Sequence, residues 1–182
     1  NLEQHLLKEA TANNRQIKLV GKEEELVYDL IVDGLNFKLI GQADRVDFEG
    51  DVLRIIDYKT GKVEETEVAF TEYDELTSNH KKAKAFQLLM YAYLYLKMNP
   101  QYIGFDVIAG NFSFKNLKSR LIKVSKKIGA RQKEVISIDA NVMVEVEQQL
   151  EFILSQIKND DFSQVADVKS CEWCDYKSIC QR

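Results

Sequence analysis

Cysteine, proline and histidine are scarce in this chain: three, one and two of them among 182 residues. The three cysteines, Cys171, Cys174 and Cys180, are bunched at one end, unlike the framework of a disulfide-stapled secreted domain. No charged-then-apolar leader opens the sequence, so nothing suggests export. An intracellular, reducing location, taken as cytoplasmic, is expected. The longest apolar run, Leu88 to Leu96, is broken by tyrosines and bounded by Gln87 and Lys97, far short of the roughly 20 residues needed to span a bilayer. It reads as a buried helix, and no membrane partner is expected. Internal repeats and low-complexity segments are also missing. So is an initiator methionine: the chain opens on Asn1, with Leu2, Leu6 and Leu7 already at helical spacing. A piece of a longer protein is therefore expected.

What is present suits one globular domain, with 45% apolar and 30% charged residues, enough for a mixed sheet flanked by helices. The net charge of −4 does not advertise a nucleic-acid binder, but the charges are unevenly placed. Lys115, Lys118, Arg120, Lys123, Lys126, Lys127, Arg131 and Lys133 share one stretch with no acid, whereas Val63 to Leu76 holds six acids and no base. The basic stretch could track phosphates, with Lys123, Lys126 and Lys127 as candidate DNA contacts; a solvated hairpin with no partner would look the same.

Glu25 to Val32 alternates and is followed by Asp33-Gly34, a two-residue hairpin signal, after which Leu35 to Phe48 and Val52 to Tyr58 continue as extended segments. Three antiparallel strands are expected. Ala83 to Met98 reads as a helix stopped by Asn99-Pro100, since proline disfavours helical geometry in the residue before it. Tyr102 to Phe114, Arg120 to Ser125 and Glu134 to Ile138 read as strands. Asn141 to Lys158 reads as an amphipathic helix carrying Val142, Val146, Leu150, Ile153, Leu154 and Ile157. The acidic stretch reads as a mobile loop beside an α/β sandwich.

The chemistry concentrates where Gly41-Gln42-Ala43-Asp44-Arg45-Val46-Asp47 precedes Ile55-Ile56-Asp57-Tyr58-Lys59-Thr60-Gly61. With an even-numbered reversal centred on Glu49-Gly50, Phe48 pairs with Asp51 and Asp44 with Ile55, so that Asp57 is a diagonal neighbour of Asp44 on one face. Lys59 shares that face, whereas an odd loop would send Asp57 to the other. Two converging carboxylates repel unless a cation lies between them, and hard oxygen ligands suit Mg²⁺ or Mn²⁺. A neighbouring lysine can hold a water and stabilise charge on a phosphate. A single Asp-x-Lys would be ordinary surface charge. Asp57 gains weight because it ends the apolar run Ile55-Ile56 and because a second acid arrives in compatible register. Arg45 points to the opposite face, and Asp47 is read as facing water.

Gly-x-x-Asp-Arg-x-Asp followed by Asp-Tyr-Lys-Thr-Gly resembles the RecB-type branch of the PD-(D/E)xK nucleases, from about Glu25 onward. The resemblance implies a restriction-endonuclease-like α/β fold, a central mixed sheet flanked by helices. It implies that Asp44, Asp57 and the Tyr58 carbonyl bind Mg²⁺ or Mn²⁺, and that Lys59 serves catalysis. Gln87-Leu88-Leu89-Met90-Tyr91 matches the family's helical glutamine and tyrosine four residues apart, which share one helix face, so Gln87 and Tyr91 join the expected site. Family members usually bring an upstream histidine ligand. His5 lacks the expected small-residue setting, His80 reads as a solvated loop residue, and the true ligand is expected outside this chain.

Cysteine spacings of two and five intervening residues imply a metal, and taken alone fit a Cys₃His zinc site, a redox pair or three unconnected thiols. Beside a RecB-like core they resemble the iron–sulfur staple of AddB-type and CRISPR-associated nucleases, in which Cys171, Cys174 and Cys180 would join a distant cysteine upstream. A [4Fe–4S] cluster is then expected in the full-length protein and not in this chain, which lacks the fourth ligand. The expected organisation is a nuclease core over residues 1–160, truncated at its start, and a cysteine tail over 161–182 packing on it. The favoured reading is a DNA nuclease, exonuclease before endonuclease, at the end of an AddB-like helicase–nuclease subunit with a motor partner. A catalytically silent nuclease-fold scaffold and a small zinc-binding module are the alternatives.

Overall fold

The computed structural model describes residues 16–116, 121–129, 132–159, 171–172, 174 and 177–179. Strands β1 (Ile17–Val32), β2 (Leu35–Glu49) and β3 (Val52–Lys59) form an antiparallel meander. Asp33 and Gly34, with φ of 48° and 76°, make the first reversal, the left-handed pair that a two-residue hairpin turn requires. Helix α1 (Ala83–Met98) then carries the chain back so that β5 (Asp106–Ser113) lies parallel to β3. The main sheet has the order β1-β2-β3-β5-β6, with β6 at Ile122–Lys123. It is a mixed sheet, and the observed architecture is the α/β class expected. Among the described residues no helix is long and apolar enough to cross a membrane.

Side chains of a strand alternate between faces, and this fixes the layers. Leu53 and Ile55 of β3 and Val107 and Ala109 of β5 join α1, through Leu88, Leu89 and Ala92, in the principal core. Ile56, Ile108, Phe112 and Leu121 form a smaller cluster with Val52 and Tyr58. Helix α2 (Ala140–Asn159) adds Met143, Val146 and Leu150 to the principal core.

Three expectations are corrected. The second reversal uses Gly50-Asp51, not Glu49-Gly50: Glu49 pairs with Val52 and Phe48 with Leu53. That two-residue slip keeps every side chain on its expected face but brings Asp44 opposite Asp57, one step beyond the last paired residues, Arg45 and Ile56. Asp47 does not face water. It is fully buried, paired with Arg54 through bonds of 2.6 Å and 3.0 Å, and Arg45 bridges to it as well. Nor is the acidic stretch a loose loop: Val63, Val68, Ala69, Phe70 and Leu76 are buried, and β4 (Ala69–Phe70) pairs with β7 (Ser125–Lys127). Composition registered its exposed carboxylates; the apolar residues between them decided its packing.

The expected strands after α1 are shorter than read. Tyr102 closes a 3₁₀ turn before β5, and the basic stretch forms β6, β7 and β8 (Lys133–Val135), with β7 and β8 an antiparallel hairpin.

Candidate active site

Asp44 projects from β2 as that strand passes the end of β3, and its Oδ2 accepts the backbone N–H of Tyr58 at 2.6 Å. The carboxylate is thereby tied to the residue between Asp57 and Lys59. Asp57 continues the buried row Leu53–Ile55, so a carboxylate occupies a core-facing position at the strand end. Burial pushes its carboxyl above the usual carboxylate range, and the charge of Asp44 acts in the same direction, against the opposing pull of Lys59 and Asn111. Two carboxylates forced together in low dielectric favour a bound cation.

The Lys59 ammonium lies 2.9 Å from Asp57 Oδ2 and donates to Gln87 Oε1 at 2.8 Å. Gln87 Nε2 in turn donates to the Tyr91 hydroxyl at 2.8 Å. An ammonium can only donate, so it fixes which end of the Gln87 amide faces it. Asp57, Lys59, Gln87 and Tyr91 thus form one hydrogen-bonded chain across β3 and α1, with Asp44 facing it from β2. Gly41 allows the helix to come this close: a Cβ there would stand 2.9 Å from Tyr91 Cε1.

Asn111 went unnoticed in the sequence. Parallel pairing of β3 and β5 sets it beside Asp57, fully buried, with its Nδ2 donating to Asp57 Oδ2 at 2.8 Å. The available signal was a polar residue in the otherwise apolar row Val107, Ala109, Asn111, the same kind of interruption that singled out Gln87.

The donor set suits Mg²⁺ or Mn²⁺. These ions accept one or two carboxylates and keep waters and substrate phosphates in their remaining positions. Asp44 and Asp57 supply that number, and no group of three or more His, Cys, Asp or Glu side chains able to hold a metal occurs among the described residues. His80 is exposed in the 3₁₀ turn His80–Lys82, and His5 lies outside the described residues. Cys171 and Cys174 flank a turn in which the Cys174 N–H donates to the Cys171 carbonyl at 3.2 Å. Cys180 and residues 160–170, which would join the cysteines to the core, lie outside the described residues.

Of the basic residues, Lys126 is engaged by the protein: its ammonium lies 3.6 Å from Glu72 and 5.0 Å from the centre of the Tyr73 ring. Lys133 is similarly held by Glu65 at 3.0 Å. The acidic stretch therefore neutralises part of the basic one. Lys123 lines a cleft with Glu65, Leu121, Ile122, Ser125, Lys133 and Val135.

No curated protein sequence matches the chain. Among solved structures, the crystal structure of SSO0001 resembles it at 15% identity and a TM-score of 0.42, over 98% of this chain and 66% of that one. The chain thus spans just under two thirds of that structure's length. A family model described as the PD-(D/E)XK nuclease superfamily matches residues 2–181. With nearly its whole length inside that match, the chain belongs to the PD-(D/E)XK nuclease superfamily, whose members are generally metal-dependent nucleases.

Proposed function

We propose that this chain is a metal-dependent deoxyribonuclease domain, an exonuclease before an endonuclease, working within a larger AddB-like helicase–nuclease protein. The observation that carries the nuclease reading is the Asp57–Lys59–Gln87–Tyr91 chain set opposite Asp44. Asp44, Asp57 and the Tyr58 carbonyl would hold Mg²⁺ or Mn²⁺, which when bound acts as a Lewis acid on the phosphate and lowers the pKa of water.

Lys59 has three ammonium hydrogens. Asp57 and Gln87 take two, and the third is available to a water or a phosphate oxygen. A water held there would be placed to act as the nucleophile, and the ammonium would stabilise negative charge growing on the phosphate oxygens. Gln87, fixed by Tyr91 one helical turn on, keeps Lys59 from folding wholly onto Asp57. Lys123, Lys126 and Lys127 are the proposed contacts to the DNA backbone, and Cys171, Cys174 and Cys180 the proposed partial cradle of a [4Fe–4S] staple completed elsewhere in the full protein. The motor partner is proposed on the sequence resemblance alone.

The test is digestion of linear and covalently closed circular DNA in Mg²⁺, in Mn²⁺ and in excess chelator. Metal-dependent loss of the linear form with the circle intact is the expected result. Cleavage of the circle at an equal rate would replace the exonuclease by an endonuclease, and no cleavage of either would favour the scaffold reading.

A further inference from the structure

Asn111 is a costly residue where it sits. It is fully buried, and its Oδ1 has no hydrogen-bond partner among the described residues. An orphaned buried acceptor is destabilising, and the row it continues, Val107 and Ala109, is apolar. Apolar packing gives no reason for an amide here. Its placement does: Asn111 is the β5 residue paired with Asp57, and its Nδ2 lies 2.8 Å from Asp57 Oδ2 and 3.4 Å from the Asp57 carbonyl. The opposite amide orientation would set two oxygens at the shorter distance, so the nitrogen must face the carboxylate.

This bond has a directional consequence. Asp57 Oδ2 receives both the Asn111 amide and the Lys59 ammonium, the latter at 2.9 Å. Both side-chain donors therefore converge on Oδ2, and no side-chain donor among the described residues holds Oδ1. The terminal torsion of an aspartate is soft, and a donor rising from the neighbouring strand stops it from swinging. Lys59 cannot do this alone, because its ammonium is shared with Gln87 and, in the proposed mechanism, with phosphate.

Resting on the metal-site reading above, we propose that Asn111 is a positioning residue for the divalent cation: it clamps Asp57 Oδ2 so that Oδ1 is presented to the ion. Partners that orient metal ligands typically contribute about 10–100-fold in affinity.

The experiment measures Mn²⁺ affinity of the whole chain by the electron-paramagnetic-resonance signal of free Mn²⁺, for the wild type, Asn111→Ala, Asn111→Leu and Asp57→Asn, each with its thermal midpoint. Both Asn111 variants should bind Mn²⁺ about 10–100-fold more weakly with midpoints unchanged or raised, because the orphaned acceptor goes with the donor. A residue serving only the fold would lower the midpoint and leave affinity alone. If the folded Asn111 variants bind as tightly as the wild type while Asp57→Asn does not, the positioning role is overturned and the metal site stands. If neither Asn111 variant folds, Asn111 is a framework residue and the proposal is equally overturned. If Asp57→Asn binds like the wild type, the metal-site reading itself fails and takes Asn111 with it.

Discussion

At the scale of single residues, the site is held from both faces of the sheet. Asp44 and Asp57 face α1, while their chain neighbours Arg45 and Tyr58 meet on the other side, Arg45 Nη1 donating to the Tyr58 hydroxyl at 3.4 Å. Arg45 also bridges to Asp47, which Arg54 grips through two bonds. Removing one member of a buried ionic group leaves its partners' charge under-compensated, at about 3–5 kcal/mol, even though Arg54 keeps its bridge to Glu49 at 3.3 Å. Asp47→Ala should therefore lower unfolding free energy by that amount in urea titration, while replacing exposed Asp51 should change it by less than about 0.5 kcal/mol. Equal, small effects would mean that this cluster adds nothing to the fold. The sequence signalled Asp44, Asp57 and Lys59 because charge at the end of an apolar strand is conspicuous. It concealed Asp47 because pairing depends on register: with the turn at Glu49-Gly50, Asp47 would meet Val52, and only the turn at Gly50-Asp51 sets it against Arg54.

At the scale of elements, α1 organises the molecule, presenting Gln87 and Tyr91 to the sheet and Tyr93 and Lys97 to α2. The Glu147 carboxylate of α2 accepts from Tyr93 Oη at 2.6 Å and pairs with Lys97 at 2.8 Å. The Lys97 ammonium also lies 5.4 Å and 5.1 Å from the ring centres of Tyr28 and Tyr93. Burial alone would raise the Glu147 pKa, but Lys97 and the Tyr93 hydroxyl outweigh it and hold the carboxyl below the usual glutamate range. A depressed folded-state pKa gives stability that is present above the unfolded value, about 4.3, and is lost as pH falls through the folded one. Glu147→Gln should thus cost on the order of 1 kcal/mol at neutral pH, and the difference should shrink on acidification below the usual glutamate range. A gap in thermal midpoint that stays constant from pH 7 to pH 3 would remove this junction from the stability of α2. Both long helices were legible, α1 from its run of helix formers stopped at Asn99-Pro100 and α2 from its spacing. The basic hairpin was foreseen in outline, but its union with β4 was not, because the pairing of Ala69 and Phe70 with Ser125 and Lys126 spans more than fifty residues of sequence.

At the scale of the whole molecule, opposite charge is distributed so that the acidic segment engages Lys126 and Lys133 through Glu72 and Glu65, while Lys123 and Lys127 stay half-buried. Phosphate contacts release counterions, each flattening the salt dependence of duplex binding by about 0.9 in slope when removed. Lys123→Ala and Lys127→Ala should each change that slope more than Lys126→Ala, whose ammonium is already engaged by Glu72 and Tyr73. Equal slopes for all three variants and the wild type would return the hairpin to the role of a solvated surface. The central claim concerns the chemistry at Lys59, and it is tested most directly by the single-turnover rate of DNA cleavage in saturating Mn²⁺, wild type against Lys59→Ala. Fold and DNA affinity are matched beforehand by circular dichroism and titration. A loss of about 100-fold or more in rate, with binding nearly unchanged, is the predicted result, because the ammonium acts on charge that develops only in the transition state. Undiminished cleavage by the folded variant would contradict the account.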